Sequence, residues 1–178
     1  MHDNIGATDN MGCNIMMNQE INDSINAPSM TFKVECVDSD GNVKWTEEVH
    51  NTVMTEGKTD IVDKYLKGSS YTAAWYLGLK GAGSIAASDT LASHAGWSEV
   101  TPYSGNRPAI TWGTTSSGSN TASAVSISIN ATETVAGAFC ATVDTGTSGV
   151  LYNTSDFSAS RGVASGDTLN VTPTISVS

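Results

Sequence analysis

Residues 122–129 read Ala122-Ser123-Ala124-Val125-Ser126-Ile127-Ser128-Ile129. Apolar and polar side chains alternate here with the period of two expected of a strand that buries one face. Val125, Ile127 and Ile129 fall on the core side, and the serines between them fall on the solvent side. Downstream the same grammar repeats in short units. Thr134–Val143 reads as a strand in which Gly137 marks a bulge or a close backbone approach. Val150-Leu151-Tyr152 reads as a short strand, Asp156-Phe157 as the start of a loop, and Ser165-Gly166-Asp167 as a turn. Thr168–Val177 reads as a final strand interrupted at Pro173. Short strands separated by turn signals predict one antiparallel β-sandwich or jelly-roll-like domain.

Upstream of the deciding stretch, 113–120 is a polar loop and Arg107–Trp112 a strand that Pro108 confines to an edge or a start. Trp97–Tyr103 is extended. Ser88 or Asp89 is placed to cap a single helical turn through Thr90-Leu91-Ala92-Ser93. Lys80–Ser88 is a Gly/Ala/Ser loop, and Ala73–Leu79 is a strand with large residues on both parities, which predicts burial on two sides. The stretch from Trp75 to Trp112 holds three of the four tryptophans, Trp75, Trp97 and Trp112. Their apolar neighbours favour core packing over a carbohydrate platform. Arg107 among these aromatics fits a structural clamp, with Glu99 as a concrete partner; the functional alternative is an inter-subunit salt bridge.

Nearer the start, Thr31–Val37 and Val43–Val49 alternate on either side of Asp38-Ser39-Asp40-Gly41-Asn42, which predicts a hairpin. One helix of about 12 residues follows, capped by Thr55 and ended by Gly68. Its stripe Ile61, Val62, Tyr65, Leu66 is expected to pack on a sheet. Residues 1–29 form a polar leader, an extended N-terminal arm ahead of a domain at 30–178. Met17, Ile21 and Ile25 recur in it at spacings of four, enough for a short amphipathic turn that lies against its own domain or a neighbouring subunit.

Composition sets the function classes. Eight Lys+Arg against 18 Asp+Glu give a net charge of −10, which repels phosphate backbones and predicts no nucleic-acid partner. No apolar run approaches the length of a membrane span, so no membrane partner is expected. Cys13, Cys36 and Cys140 are isolated, without metal-ligand spacing, and fit free thiols made in a cytoplasm rather than a disulfide framework. Asp89, His94 and Glu99, five residues apart, are conceivable as a metal or acid–base set, but a capping Asp89 and a backbone-bonded His94 explain them better. Gly78–Gly83 lacks the ending of a phosphate loop, and no GxSxG occurs. The chain therefore reads as a protein without enzymatic activity and without cofactor or metal.

One resemblance narrows the function. Asn51–Gly57, Trp75–Leu79, Asp89-Thr90-Leu91-Ala92-Ser93-His94-Ala95-Gly96-Trp97-Ser98-Glu99 and Tyr103–Pro108 resemble a family of small structural proteins of tailed bacteriophages and prophages. Gly137-Ala138-Phe139, Gly149–Tyr152 and Gly166–Leu169 fit the same pattern, so the similarity covers about residues 50–178. It implies a capsid decoration (cement) protein: β-rich, a homotrimer or other homo-oligomer, bound to the major capsid protein on the virion exterior. A tail or head–tail connector component is the alternative, and a glycan-binding module of the virion a third. On that reading Trp75, Trp97, Glu99, Tyr103, Arg107 and Trp112, with Met17, Ile21 and Ile25 of the arm, are the structural and interface candidates.

Overall fold

The computed structural model describes residues 28–71 and 74–177; Cys13, Met17, Ile21 and Ile25 lie outside the described residues. In chain order the elements are β1 (Ser29–Val37), β2 (Val43–His50), β3 (Thr52–Val53), α1 (Thr55–Ile61) continuing into a π-helical turn (Val62–Leu66), β4 (Tyr76–Gly83), β5 (Trp97–Val100), β6 (Ser119–Thr121), β7 (Val125–Ser128), β8 (Glu133–Ala141), β9 (Leu151–Val163) and β10 (Thr168–Ser176). Two antiparallel sheets form a sandwich. One has the order β2-β1-β10-β6, with β7 also on β10, and the other β3-β9-β8-β4-β5. β1 and β10 pair along their whole length, from Ser29↔Ser176 to Val37↔Thr168. The first and last strands of the sandwich therefore close it on each other.

The alternation in 122–129 appears as expected: Ala122, Val125, Ile127 and Ile129 are buried and Ser123, Ser126 and Ser128 exposed. Phe32, Val34 and Cys36 of β1 and Leu169 and Val171 of β10 are fully buried beneath them. From the other sheet Leu77, Leu79, Val135, Ala138 and Cys140 complete one core. Each such side chain contributes roughly 1.5–3 kcal/mol through burial. Cys36 and Cys140 are buried free thiols. In the first hairpin Gly41 has φ +86°, and Asp38 Oδ1 accepts the N–H groups of Asp40 and Asn42 at 3.0 and 2.8 Å.

Several expectations are corrected. β9 is 13 residues long, so Asp156-Phe157 sits inside a strand and not at a loop start; Ser155 and Asp156 pair with Ala138 and Gly137 of β8, and the register then shifts so that Val135 pairs with Arg161. The strand expected over Ala73–Leu79 is β4, which starts at Tyr76 and runs on through Lys80 to Gly83. β10 is not interrupted by Pro173. Its pairing passes from β7 over 168–171 to β6 over 174–176, and the missing N–H falls in the gap. Residues 107–112 make isolated bridges, Tyr76↔Ala109 on one sheet and Trp112↔Ala122 on the other. They cross between sheets instead of forming a strand. The helical turn at Thr90–Ser93 is a tight reverse turn, with Thr90 and Ser93 bonded to each other's backbone.

The helix is the largest correction. Met54 is its N-cap residue and makes no side-chain cap bond, so Thr55 is the first helical residue and not the cap. The buried face is Met54, Gly57 and partly buried Ile61, spaced i, i+3, i+7. Val62, Tyr65 and Leu66 point away from the sheet and are 52%, 85% and 71% exposed. Gly57 decides this orientation: a Cβ there would stand 2.4 Å from the Tyr152 carbonyl oxygen. The helix backbone thus lies directly on β9.

Candidate interaction surface

The densest polar organisation surrounds the Asp89–Trp97 loop. Asp89 Oδ2 accepts the Ala86 N–H at 3.0 Å and the Trp97 Nε1–H at 2.9 Å. His94 Nδ1 lies 3.1 Å from the Thr90 carbonyl, and its ring stacks on Trp97 at 4.2 Å. Beneath, Trp97 packs with Met54, Leu91, Phe139, Ala141 and Leu151 in a second core. Glu56 of α1 ties the loop to β9 by accepting the N–H groups of Leu91 and Leu151 through one oxygen, at 3.2 and 2.7 Å. The loop returns so close to β4 that a Cβ on Gly83, already at φ +127°, would lie 2.0 Å from the Gly96 carbonyl. Asp89, His94 and Glu99 therefore serve three separate structural tasks and do not converge.

Arg107 is buried and makes four hydrogen bonds. Its Nε and one Nη donate to the two oxygens of Glu99 at 2.8 and 2.7 Å. Two further N–H groups donate to the carbonyls of Val143 and Gly146 at 3.0 and 3.1 Å. The guanidinium also lies 5.4 Å from the Phe139 ring centre. This is a bidentate fork holding the loop after β8 against β5, a geometry only arginine supplies. Tyr103 is buried beside it with a hydroxyl that has no hydrogen-bond partner among the described residues. Burial, and then the Glu99 charge, push that phenol up to about 12.

Lys80 is the residue sequence reasoning missed. Its side chain is 0% exposed, and Nζ donates to Asp156 Oδ1 at 2.6 Å and to the carbonyls of Gly81 and Gly83 at 3.1 and 2.7 Å. A lysine next to glycines reads as a loop cation; only the β4–β8–β9 pairing reveals that it is covered. Two further pairs link distant elements. Lys44 of β2 bonds Asp167 at 2.6 Å, and Arg161 of β9 bonds Glu47 of β2 at 3.1 Å across the sheets. Burial alone would raise the Asp167 carboxyl, but the Lys44 ammonium and the Ala164 N–H hold it below the usual carboxylate range.

Among the expected interface residues, Trp97, Tyr103 and Arg107 are buried and Glu99 is committed to Arg107. Trp75 and Trp112 remain, and they do open onto a surface. Trp75 meets Tyr152 edge-on at 4.6 Å and Trp112 at 6.3 Å. Around them Tyr65, Tyr71, Ile175 and Val177 line an apolar groove of about 380 Å³. An adjoining hollow of about 390 Å³ shares Tyr71, Trp75, Ile175 and Val177 and extends to Trp112. Tyr65, exposed together with Val62 and Leu66 as a ridge on the helical segment, is the member of that ridge that lines the groove. Tyr65, Tyr71 and Val177, all exposed, thus surround the groove with apolar surface. The sequence carried its signal as two apolar stripes about 100° apart on one helix, 54/57/61 and 62/65/66, of which a single sheet can cover one.

Among the described residues no group of three or more His, Cys, Asp or Glu side chains is placed to hold a metal ion, and no helix is long and apolar enough to cross a membrane. Comparison of the chain with protein-family models, curated proteins and solved structures finds no match.

Proposed function

We propose that the chain is a capsid decoration protein of a tailed bacteriophage, binding the major capsid protein on the outside of the assembled head. The observation that carries the reading is the exposed ridge Val62, Tyr65 and Leu66 beside the Trp75 groove. It stands on a sandwich in which the buried Lys80, Arg107 and Asp167 are committed to ion pairs and the buried Asp89 to hydrogen bonds. Such a build presents an adhesive face on a stiff body. The acidic charge of −10 suits the opposite, solvent-facing side and disfavours contact with packaged nucleic acid.

Magnitudes favour an oligomer. Burying the three ridge side chains contributes about 5–9 kcal/mol gross, while association costs roughly 4–15 kcal/mol. One ridge alone binds weakly; three on one homotrimer bind by avidity. The test is co-sedimentation of the purified protein with undecorated shells, with a Tyr65→Ser/Leu66→Ser double variant beside it. The expected result is saturable binding that raises the shells' disruption temperature and is lost in the variant. Absence of binding by the unaltered chain would overturn the reading.

A further inference from the structure

We infer that the polar hollow between the loop 102–108 and residues 126–130 is a site for a neutral saccharide, held by Tyr103, Ser104, Asn106, Ser128 and Asn130. The hollow has a volume of about 330 Å³, within the roughly 300–1,000 Å³ of small-ligand sites. Its walls are fixed by backbone bonds. The Asn130 N–H donates to the Pro102 carbonyl at 2.8 Å, and the Arg107 and Leu77 N–H groups donate to the Asp144 and Pro108 carbonyls at 2.9 Å. The loop is therefore set before any ligand arrives, which lowers the ordering cost of binding. The hollow shares no lining residue with the Trp75 groove or its adjoining hollow, so the site stands apart from the shell-binding reading.

The lining sets the ligand class. Among the described residues no charged side chain lines this hollow, so a phosphate or carboxylate would find no cation there and an ammonium no anion. The walls offer neutral donors and acceptors beside an apolar edge at Tyr103 and Pro108, which matches the hydroxyl rim and C–H face of a sugar ring. Asn106 donates its amide N–H to the Asp144 carboxylate at 2.9 Å. A carboxylate only accepts, so the amide is oriented and its carbonyl oxygen is left for a ligand. Asn130 donates to the Ser104 hydroxyl, whose own proton can still be given. The strongest pointer is Tyr103. It is 8% exposed, and its hydroxyl has no partner among the described residues, where phenylalanine would fill the same space without an orphaned donor. Tyr103 and Asn106 also line a side recess of about 100 Å³, into which an exocyclic hydroxymethyl group would reach.

The test is an amide-resolved NMR titration of the full chain with glucose, galactose, mannose and N-acetylglucosamine, and with glucuronate as the charged control. A single sugar ring should bind with a Kd in the millimolar range, so each is taken to about 50 mM. The expected result is saturable shifts at 103–106 and 126–130 with at least one neutral sugar, and binding about tenfold weaker or absent with glucuronate. Ser128→Tyr, a strand-compatible change that fills the hollow, should abolish the shifts. Tyr103→Phe should keep the fold and weaken binding about fivefold. No saturable shift with any of the four sugars overturns the proposal, as does equal binding of glucuronate. Shifts confined to the surroundings of Trp75 and Trp112, or surviving in Ser128→Tyr, place the sugar elsewhere and overturn it too. Unchanged affinity in Tyr103→Phe would leave that hydroxyl to water and overturn the site as described.

Discussion

The ammonium of Lys80 and the carboxylate of Asp156, 76 residues apart in sequence, meet at 2.6 Å with the lysine side chain wholly buried and the aspartate 48% exposed. The pair is lopsided, and the two truncations should differ accordingly. Asp156→Ala strands a buried cation that keeps only two carbonyl partners, for an expected loss of about 2–3 kcal/mol, discounted from a fully buried pair. Lys80→Met removes the charge itself and leaves Asp156 free to hydrate, so its cost should be the smaller. Urea unfolding of both variants checks the order; a more destabilising Lys80→Met would contradict it.

Gly57→Ala pits local against tertiary energetics. Helix propensity favours alanine by about 1 kcal/mol. The new methyl, however, would meet the Tyr152 carbonyl at 2.4 Å, and β9 backbone cannot yield cheaply. The clash should win by about 1–3 kcal/mol, which lowers Tm by several degrees for a chain of this size. A raised Tm would show that the helix is not seated on β9 as described.

Arg107→Lys should behave as a severe change despite keeping the charge. A lysine cannot bridge both Glu99 oxygens and also reach Val143 and Gly146. The expected cost is about 2–3 kcal/mol, read by chemical denaturation. A near-neutral result would mean that charge alone, without the fork, holds the loop after β8.

The Lys44–Asp167 pair sets a pH dependence. The Asp167 carboxyl is depressed, so its contribution is present above the ordinary aspartate range and is lost as pH falls through the lower folded value. The Lys44 ammonium is raised by its bond to Asp167, so its share is present below the ordinary lysine range and lost as pH climbs through the raised value. Stability carried by the pair is therefore flat through neutrality and declines below about pH 4. Asp167→Asn should flatten that acid decline in a melting series between pH 2 and 6; an unchanged slope would contradict the assignment.

The sandwich was legible because its strands carry side-chain alternation: Val125, Ile127 and Ile129, or Phe32, Val34 and Cys36, identify one buried face without ambiguity. Gly41 and Gly68, with φ of +86° and +78°, mark a turn and a helix end by steric need. What stayed hidden depends on the partner. Ser155 and Asp156 have the composition of a loop start and become strand because β8 supplies a ladder at Ala138 and Gly137. Lys80 is covered by neighbours far along the chain. The helix was legible as a helix but not in its orientation, because Gly57 has no side chain to announce that its face is the one docked. Of the tryptophan-rich stretch, Trp75 and Trp112 line the exposed apolar groove and its adjoining hollow, whereas Trp97 and Arg107, equally prominent in sequence, are interior.

The most direct measurement of the decoration reading is the copy number of this chain in intact particles, by mass spectrometry against the major capsid protein, with cryo-electron microscopy to locate it. The account predicts hundreds of copies arranged on the outer face of the shell. A few copies to a few dozen along the tail axis, or none in the particle, would contradict it.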